Sequence, residues 1–276
     1  MYFRNSVSVP EFFPKRLTME YLDFSIELAR AAGDVLKQYM AGEKQVELKG
    51  RANLVTIADK ESEALMIRRI RERYPKHAIL AEESGASGAG PSKWIIDPLD
   101  GTTNFAHQYP FFSVSIGFEQ AGEILCGAVY DPWRDELFSG ARGAGSFLNG
   151  QRLQVSGVAR LGDGLLTTGF PYRVREKIAI VMSQFEAFIL ESQAVRRGGS
   201  AALDMCYTAL GRCDGFWELD LHPWDTAAGL VILEEAGGRV TDFKGNPYSV
   251  YMKEILASNG KIHEELVEVL EKTVKE

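Results

Sequence analysis

Trp94-Ile95-Ile96-Asp97-Pro98-Leu99-Asp100-Gly101-Thr102-Thr103-Asn104-Phe105 is an apolar run that passes into two carboxylates and then a glycine-threonine turn. The β-favouring Trp94 to Ile96 predict a buried strand that stops at Pro98, with Asp97 where the chain emerges at the edge of a sheet. Sheets of the α/β class bind their ligands at such strand ends. Pro98 fixes its φ and donates no hydrogen bond, so Asp97, the Leu99 carbonyl and Asp100 are free to converge as hard oxygen ligands. Gly101 allows close approach of the backbone, and Thr102-Thr103-Asn104 begins a helical turn whose free N–H groups suit an anion. A cation site beside a phosphate site is the expectation. Asp-Pro or Asp-Gly alone would be an ordinary turn with an Asx cap.

The chain has 276 residues, enough for one large α/β domain or two lobes sharing a site. Hydrophobic residues make up 45% and charged residues 25%, as in soluble globular proteins. No apolar run approaches the ~18 residues that span a bilayer, so no membrane partner is expected. The formal charge of −7 argues against nucleic acid as the main partner, because a phosphate backbone needs a basic face. Cys126, Cys206 and Cys213 lack C-x-x-C spacing and read as reduced core cysteines of a cytoplasmic protein. His77, His107, His222 and His263 are scattered, which predicts no imidazole-based metal site. Met1 to Leu17 lacks the continuous apolar core of a signal peptide, and Met19 directly precedes a helical pattern. Residues 1–18 are therefore expected to be a disordered leader or the product of an upstream start codon, and 19–276 one domain with lobes of about 19–155 and 156–276.

Leu22, Ile26, Ala29, Gly33, Leu36 and Met40 recur at three- and four-residue steps, which predicts an amphipathic helix from Tyr21 to Met40. Val46 to Lys49 alternates like a short strand, and Asn53 to Asp59 leads into a second helix that Pro75 ends. His77 to Ser84 reads as a buried strand delivering Glu82 and Glu83, with a loop over Gly85 to Ser92. Adjacent residues of a strand face opposite ways, so one of these glutamates at most aims into a given site. Between Phe112 and Val155 short strands alternate with turns, of which Asn149-Gly150 is a strong hairpin signal. Arg175 to Gln193 predicts a helix with Ile178, Val181, Met182, Phe185, Phe188 and Ile189 on its apolar face. Ser200 caps a further helix after Gly198-Gly199, and Pro223 suits the first turn of another.

Asp97 to Phe105 resembles, without a gap, the first signature of the inositol monophosphatase family. Trp224-Asp225-Thr226-Ala227-Ala228-Gly229, ending in Glu234-Glu235-Ala236-Gly237-Gly238, is similar to the second. The resemblance runs from about Tyr21 to the C-terminus and looks most like the bacterial branch at Arg197 to Asp204 and Gly215 to Glu218. It implies a layered α/β/α/β/α sandwich of the α/β (α+β) class and a Mg²⁺-dependent, Li⁺-sensitive phosphomonoesterase. Two or three Mg²⁺ ions are implied as cofactors, with Mn²⁺ as a substitute, and a homodimer by analogy. Glu82, Asp97 and the Leu99 carbonyl would hold one ion, and Asp97, Asp100 and Asp225 a second. Asp59 would pair with Thr102 to orient the attacking water, with Glu82 also in the catalytic set. Asp100, Gly101, Thr102, Gly199, Ser200, Ala201, Glu218 and Asp225 would contact the substrate, taken to be myo-inositol 1-phosphate. Lys49 departs from the family spacing by one residue and stays outside the site.

Other substrates within the same fold are fructose 1,6-bisphosphate, a 3′-phosphoadenosine nucleotide and histidinol phosphate. The bisphosphate would need a second basic pocket, for which Arg196 and Arg197 are the candidates beside a surface role. A binding role in transcription or ribosome assembly is the non-enzymatic alternative. The complete ligand set weighs against a purely non-catalytic protein.

Overall fold

The computed structural model describes residues 14–42, 57–171 and 173–273. The readings at residues 1–13, at the strand around Lys49 and at Asn53 to Thr56 lie outside them. Helix α1 spans Lys15–Met40 and so starts ahead of Tyr21. The Pro14 carbonyl accepts the Leu17 and Thr18 amides, and Thr18 is buried. Residues 15–18 are thus the first turn of α1 and not leader, because proline at the boundary has its φ already near the helical value.

Helix α2 spans Ile57–Arg73. The first sheet contains β1 Ala78–Ala81, β2 Gly85–Ser87, β3 Ser92–Asp100, β4 Ser113–Gln120, β5 Glu123–Asp131, β6 Glu136–Ala141, β7 Gly145–Leu148 and β8 Gln151–Arg152, in the order β2-β1-β3-β4-β5-β6-β7-β8. Strand β2 falls where a loop was expected: it folds back on β1 as a hairpin. Asn149 and Gly150 have φ of 49° and 82°, the left-handed pair that a two-residue hairpin turn needs. The second sheet orders β9 Leu165–Thr168, β10 Ala194–Arg196, β11 Gly215–Leu219, β12 Arg239–Thr241 and β13 Glu254–Ser258 as β10-β9-β11-β13-β12.

Among the described residues five further α-helices follow: α3 Thr102–Ala106, α4 Val174–Glu191, α5 Ala201–Ala209, α6 Pro223–Glu235 and α7 His263–Thr273. Helices α1 and α2 cover the outer face of the first sheet, α5 and α6 lie between the sheets, and α4 and α7 cover the second. That is the five-layer α/β/α/β/α sandwich. Three apolar cores hold the layers together: one under α1 and α2 around Leu28 and Trp94, one on both sides of α5 and α6 around Val231 and Phe216, and one under α4 and α7 around Phe188 and Leu256.

Two local features position the site. In β3, Asp97 pairs with Ser115 and Asp100 with Ser113, so three steps on one strand match two on its neighbour. Residues an odd number apart on a regular strand face opposite ways, and this one-residue bulge brings both carboxylates to one side. It also corrects the expected strand end: the strand passes through Pro98, whose missing N–H falls in the irregular stretch. The second feature is a row of glycines. Gly117, Gly127 and Gly140 are cross-strand partners on β4, β5 and β6. A Cβ at Gly117 would lie 2.6 Å from Ala227 Cβ, and one at Gly127 2.6 Å from Ala228 Cα. The row therefore lets α6 sit directly on the sheet, which places Asp225 at the end of β3.

The apolar face expected on α4 divides. Val181 and Phe188 are buried, whereas Ile178, Met182 and Ile189 are 49%, 47% and 51% exposed. The helix spends one apolar row on the sheet and leaves the other on the surface.

Candidate active site

Asp97, Asp100 and Asp225 each offer a carboxylate oxygen within 4.8 Å of the others, although the first two come from β3 and the third from α6. Asp97 is 1% exposed, and its Oδ1 accepts the Leu99 amide at 2.9 Å, an Asx turn that fixes the carboxylate. Asp100 Oδ2 accepts the Ser200 hydroxyl at 2.6 Å and the Ala202 amide at 2.8 Å, so the N-terminus of α5 orients it. The Ser200 oxygen in turn accepts the Leu203 amide, the N-cap expected of it. Asp225 sits in the first turn of α6, and its Oδ2 accepts the His222 amide at 2.6 Å.

Glu82 reaches the cluster from the turn after β1 and shares a hydrogen bond with Asp97. Burial, then the Asp225 charge, pushes Glu82 up to about 8. Burial, then the Glu82 and Asp100 charges, raises Asp97 well above the usual carboxylate range. Asp100 is pushed up to about 7 by burial and Asp225, against the pull of its bonds to Ser200 and Ala202. Carboxylates crowded away from water repel one another, and they hold charge together only when a cation is among them. The donors are all oxygens, with no sulfur or imidazole, which suits a hard divalent cation.

Gly101 caps α3 with φ 97°, and a Cβ there would press on the Phe111 and Gly199 carbonyls. Only glycine fits this turn. The buried Thr102 hydroxyl donates to the Leu99 carbonyl at 3.1 Å. Asp59 is buried in the first turn of α2, near enough to Glu82 to add to its rise.

A cavity of about 780 Å³ opens in front of Asp100 and Asp225. Gly199, Ser200, Ala201 and Glu218 line it, as do Gly101 and Thr102. Glu218, one residue before the end of β11, is buried at 8% exposure; burial, then the Asp204 charge, raises its carboxyl well above the usual range. A Cβ at Gly169 would overlap the Glu218 carboxylate, so the bare backbone there is what that side chain rests on.

The structure thus brings Glu82, Asp97, Asp100 and Asp225 to one point and places Gly101, Thr102, Gly199, Ser200, Ala201 and Glu218 around the adjoining cavity. Arg197 lines the cavity, with its guanidinium 5.6 Å from the Phe170 ring, while Arg196 folds onto its own strand at the Val195 carbonyl. Sequence reasoning missed Arg173 and Arg175, which also line the cavity from the start of α4. It also missed Asn104, whose Nδ2 donates to the Phe111 carbonyl at 2.7 Å and the Gly198 carbonyl at 2.9 Å, tying the two glycine turns together. The place of Asn104 inside the signature was the available signal; the arginines gave none.

A family profile described as the inositol monophosphatase family matches residues 18–275. A Synechocystis protein named inositol-1-monophosphatase is 45% identical over 97% of this chain and 94% of its own. A Vibrio cholerae protein named Nus factor SuhB is 41% identical over 86% of this chain and 91% of its own. The solved structure of inositol monophosphatase from Anabaena superposes with a TM-score of 0.84 at 44% identity, covering 92% of this chain and 96% of that one.

Proposed function

The chain belongs to the inositol monophosphatase family and is a phosphomonoesterase; from that premise we propose that it hydrolyses myo-inositol 1-phosphate with Mg²⁺. The observation that carries the reading is the cluster of Asp97, Asp100 and the half-buried Asp225 at the mouth of a cavity large enough for a phosphorylated polyol. Glu82, Asp97, the Leu99 carbonyl, Asp100 and Asp225 would hold Mg²⁺, with Mn²⁺ as a substitute. When bound, the cation supplies positive charge that acidifies a water and stabilises the leaving oxygen.

The chain's own groups do the positioning. The Gly101 and Thr102 amides hold phosphate oxygens at the start of α3. The Thr102 oxygen, whose proton is engaged at Leu99, offers its lone pairs to the attacking water. Its pairing with Asp59 would require the hydroxyl to turn away from Leu99. Glu218 accepts hydrogen bonds from ring hydroxyls, beside the backbone of Gly199 to Ala201. Because a phosphate monoester is itself anionic, this catalysis is mainly electrostatic and positional, and no phosphoenzyme is needed.

The Arg173, Arg175 and Arg197 side chains favour one second reading, a substrate with another anionic group such as fructose 1,6-bisphosphate or a phosphorylated nucleotide. The relative named Nus factor SuhB supports an additional binding role in transcription, and the exposed row of Ile178, Met182 and Ile189 supports a homodimer. Phosphate release from inositol 1-phosphate, fructose 1,6-bisphosphate, 3′-phosphoadenosine 5′-phosphate and histidinol phosphate, with Mg²⁺ and with or without Li⁺, tests the reading. Li⁺-sensitive turnover led by inositol 1-phosphate supports it; release led by a bisphosphate moves the assignment to the second reading.

A further inference from the structure

We propose that α2 is a clamp that sets the spacing between the two carboxylate-bearing turns, with Glu63 as its positioning residue. This rests on the reading of Glu82 as a cation ligand. Glu82 lies in the three-residue turn of the β1–β2 hairpin, in which Ala81 pairs with Gly85. Such a turn has no ladder partners of its own for its amides. Here two consecutive ones, of Glu83 and Ser84, donate to Glu63 Oε2 at 2.9 Å and Oε1 at 3.0 Å. Each carboxylate oxygen takes one amide, and the pair fixes both the height and the tilt of the turn. Glu63 is 4% exposed, so these bonds form away from competing water.

The same helix holds the other turn. Ser62, fully buried, donates its hydroxyl to the Pro98 carbonyl at 3.3 Å, inside the bulge between Asp97 and Asp100. Asp59 lies one helical turn before Glu63, on the same face. One rigid helix thus grips the turn that carries Glu82 and the bulge that carries Asp97 and Asp100. Groups that orient ligands from behind matter to cation affinity almost as much as the ligands do.

Glu63→Gln tests the clamp, because it keeps the side chain's shape but turns an NH₂ toward one of the two donating amides. Three readouts are compared with wild type: hydrogen exchange of the peptide containing Glu83 and Ser84 in the cation-free protein, Mn²⁺ affinity by calorimetry, and the Mg²⁺ concentration giving half-maximal phosphate release. The expected results are faster exchange, about tenfold weaker Mn²⁺ binding, and a half-saturation raised by a similar factor, with kcat largely recovered at saturating Mg²⁺. Ile70→Val, buried on the same helix, should lower Tm without moving Mn²⁺ affinity. Should Glu63→Gln fail to fold, Ser62→Ala tests the other grip, with about threefold weaker Mn²⁺ binding expected. Unchanged Mn²⁺ affinity beside faster exchange would make Glu63 a staple of the hairpin alone and overturn the clamp. A wild-type protein that binds no Mn²⁺ would instead bring down the reading of Glu82 as a cation ligand, and the clamp with it.

Discussion

The floor of the site and its rim carry charge in opposite ways. On the floor, Asp97 and Asp100 are buried with the half-buried Glu82 beside them; the Glu82 and Asp100 charges raise the cost of ionising Asp97, and the Asp225 charge does the same to Glu82 and Asp100. At the rim, Arg173 and Arg197 are exposed, and water screens them at little cost to the fold. Buried charge of one sign makes a site that demands a counter-ion, whereas exposed charge of the other sign tunes which substrate enters. Mutations on the floor should therefore act on catalysis and on cation-free stability, and those at the rim on substrate choice.

Asp97→Asn is the harshest test of the floor. It should lower kcat by at least ~10³ with the fold intact by circular dichroism, because it removes the carboxylate that faces Glu82, Asp100 and Asp225 at once. Near-normal phosphate release would break the distinction between floor and rim at once.

Removing the cation should expose the floor's repulsion through pH. Glu82 and Asp100 are raised in the folded state, so the unfolded chain binds fewer protons than the native one once pH passes the ordinary carboxylate range. Stability of EDTA-treated protein should then fall as pH rises from about 5 to 8, and level off above the folded values. A drop in Tm of about 5 °C across that window, abolished by Mg²⁺, is expected by calorimetry. A flat or rising curve would show that the carboxylates are not mutually destabilised.

Gly169→Ala sits between floor and rim. Its new methyl must push the Glu218 carboxylate aside, which should raise KM for inositol 1-phosphate about tenfold while leaving that for p-nitrophenyl phosphate nearly unchanged. Equal changes for both substrates would place Glu218 outside the polyol's contacts. The smallest effect is expected at the rim: Arg197→Ala should lower kcat/KM about threefold for a bisphosphate and leave inositol 1-phosphate unaffected.

Much of the floor was legible because its residues lie in compact motifs. Asp97 to Phe105 and Trp224 to Gly229 each place carboxylates beside a turn, and the resemblance joined them to Glu82 and Glu218. The rim was not legible, because Arg173 and Arg175 are ordinary exposed cations at a helix start until the fold turns them toward the cavity. On α4, periodicity marked six apolar positions as one face but could not say that Ile178, Met182 and Ile189 remain outside.

By itself the sequence determined the family, the alternation of helices and strands, and the oxygen-only chemistry of the site, since each is written in residue type and local spacing. The tertiary structure alone decided that Asp97 and Asp100 share a side, through a bulge visible only in the register against β4. It alone seated α6 on the Gly117, Gly127 and Gly140 row so that Asp225 meets them, and set Glu63 beneath the turn of Glu82. The reason is physical: local spacing reports which face of an element is buried, whereas register and close approach depend on segments far away in the chain.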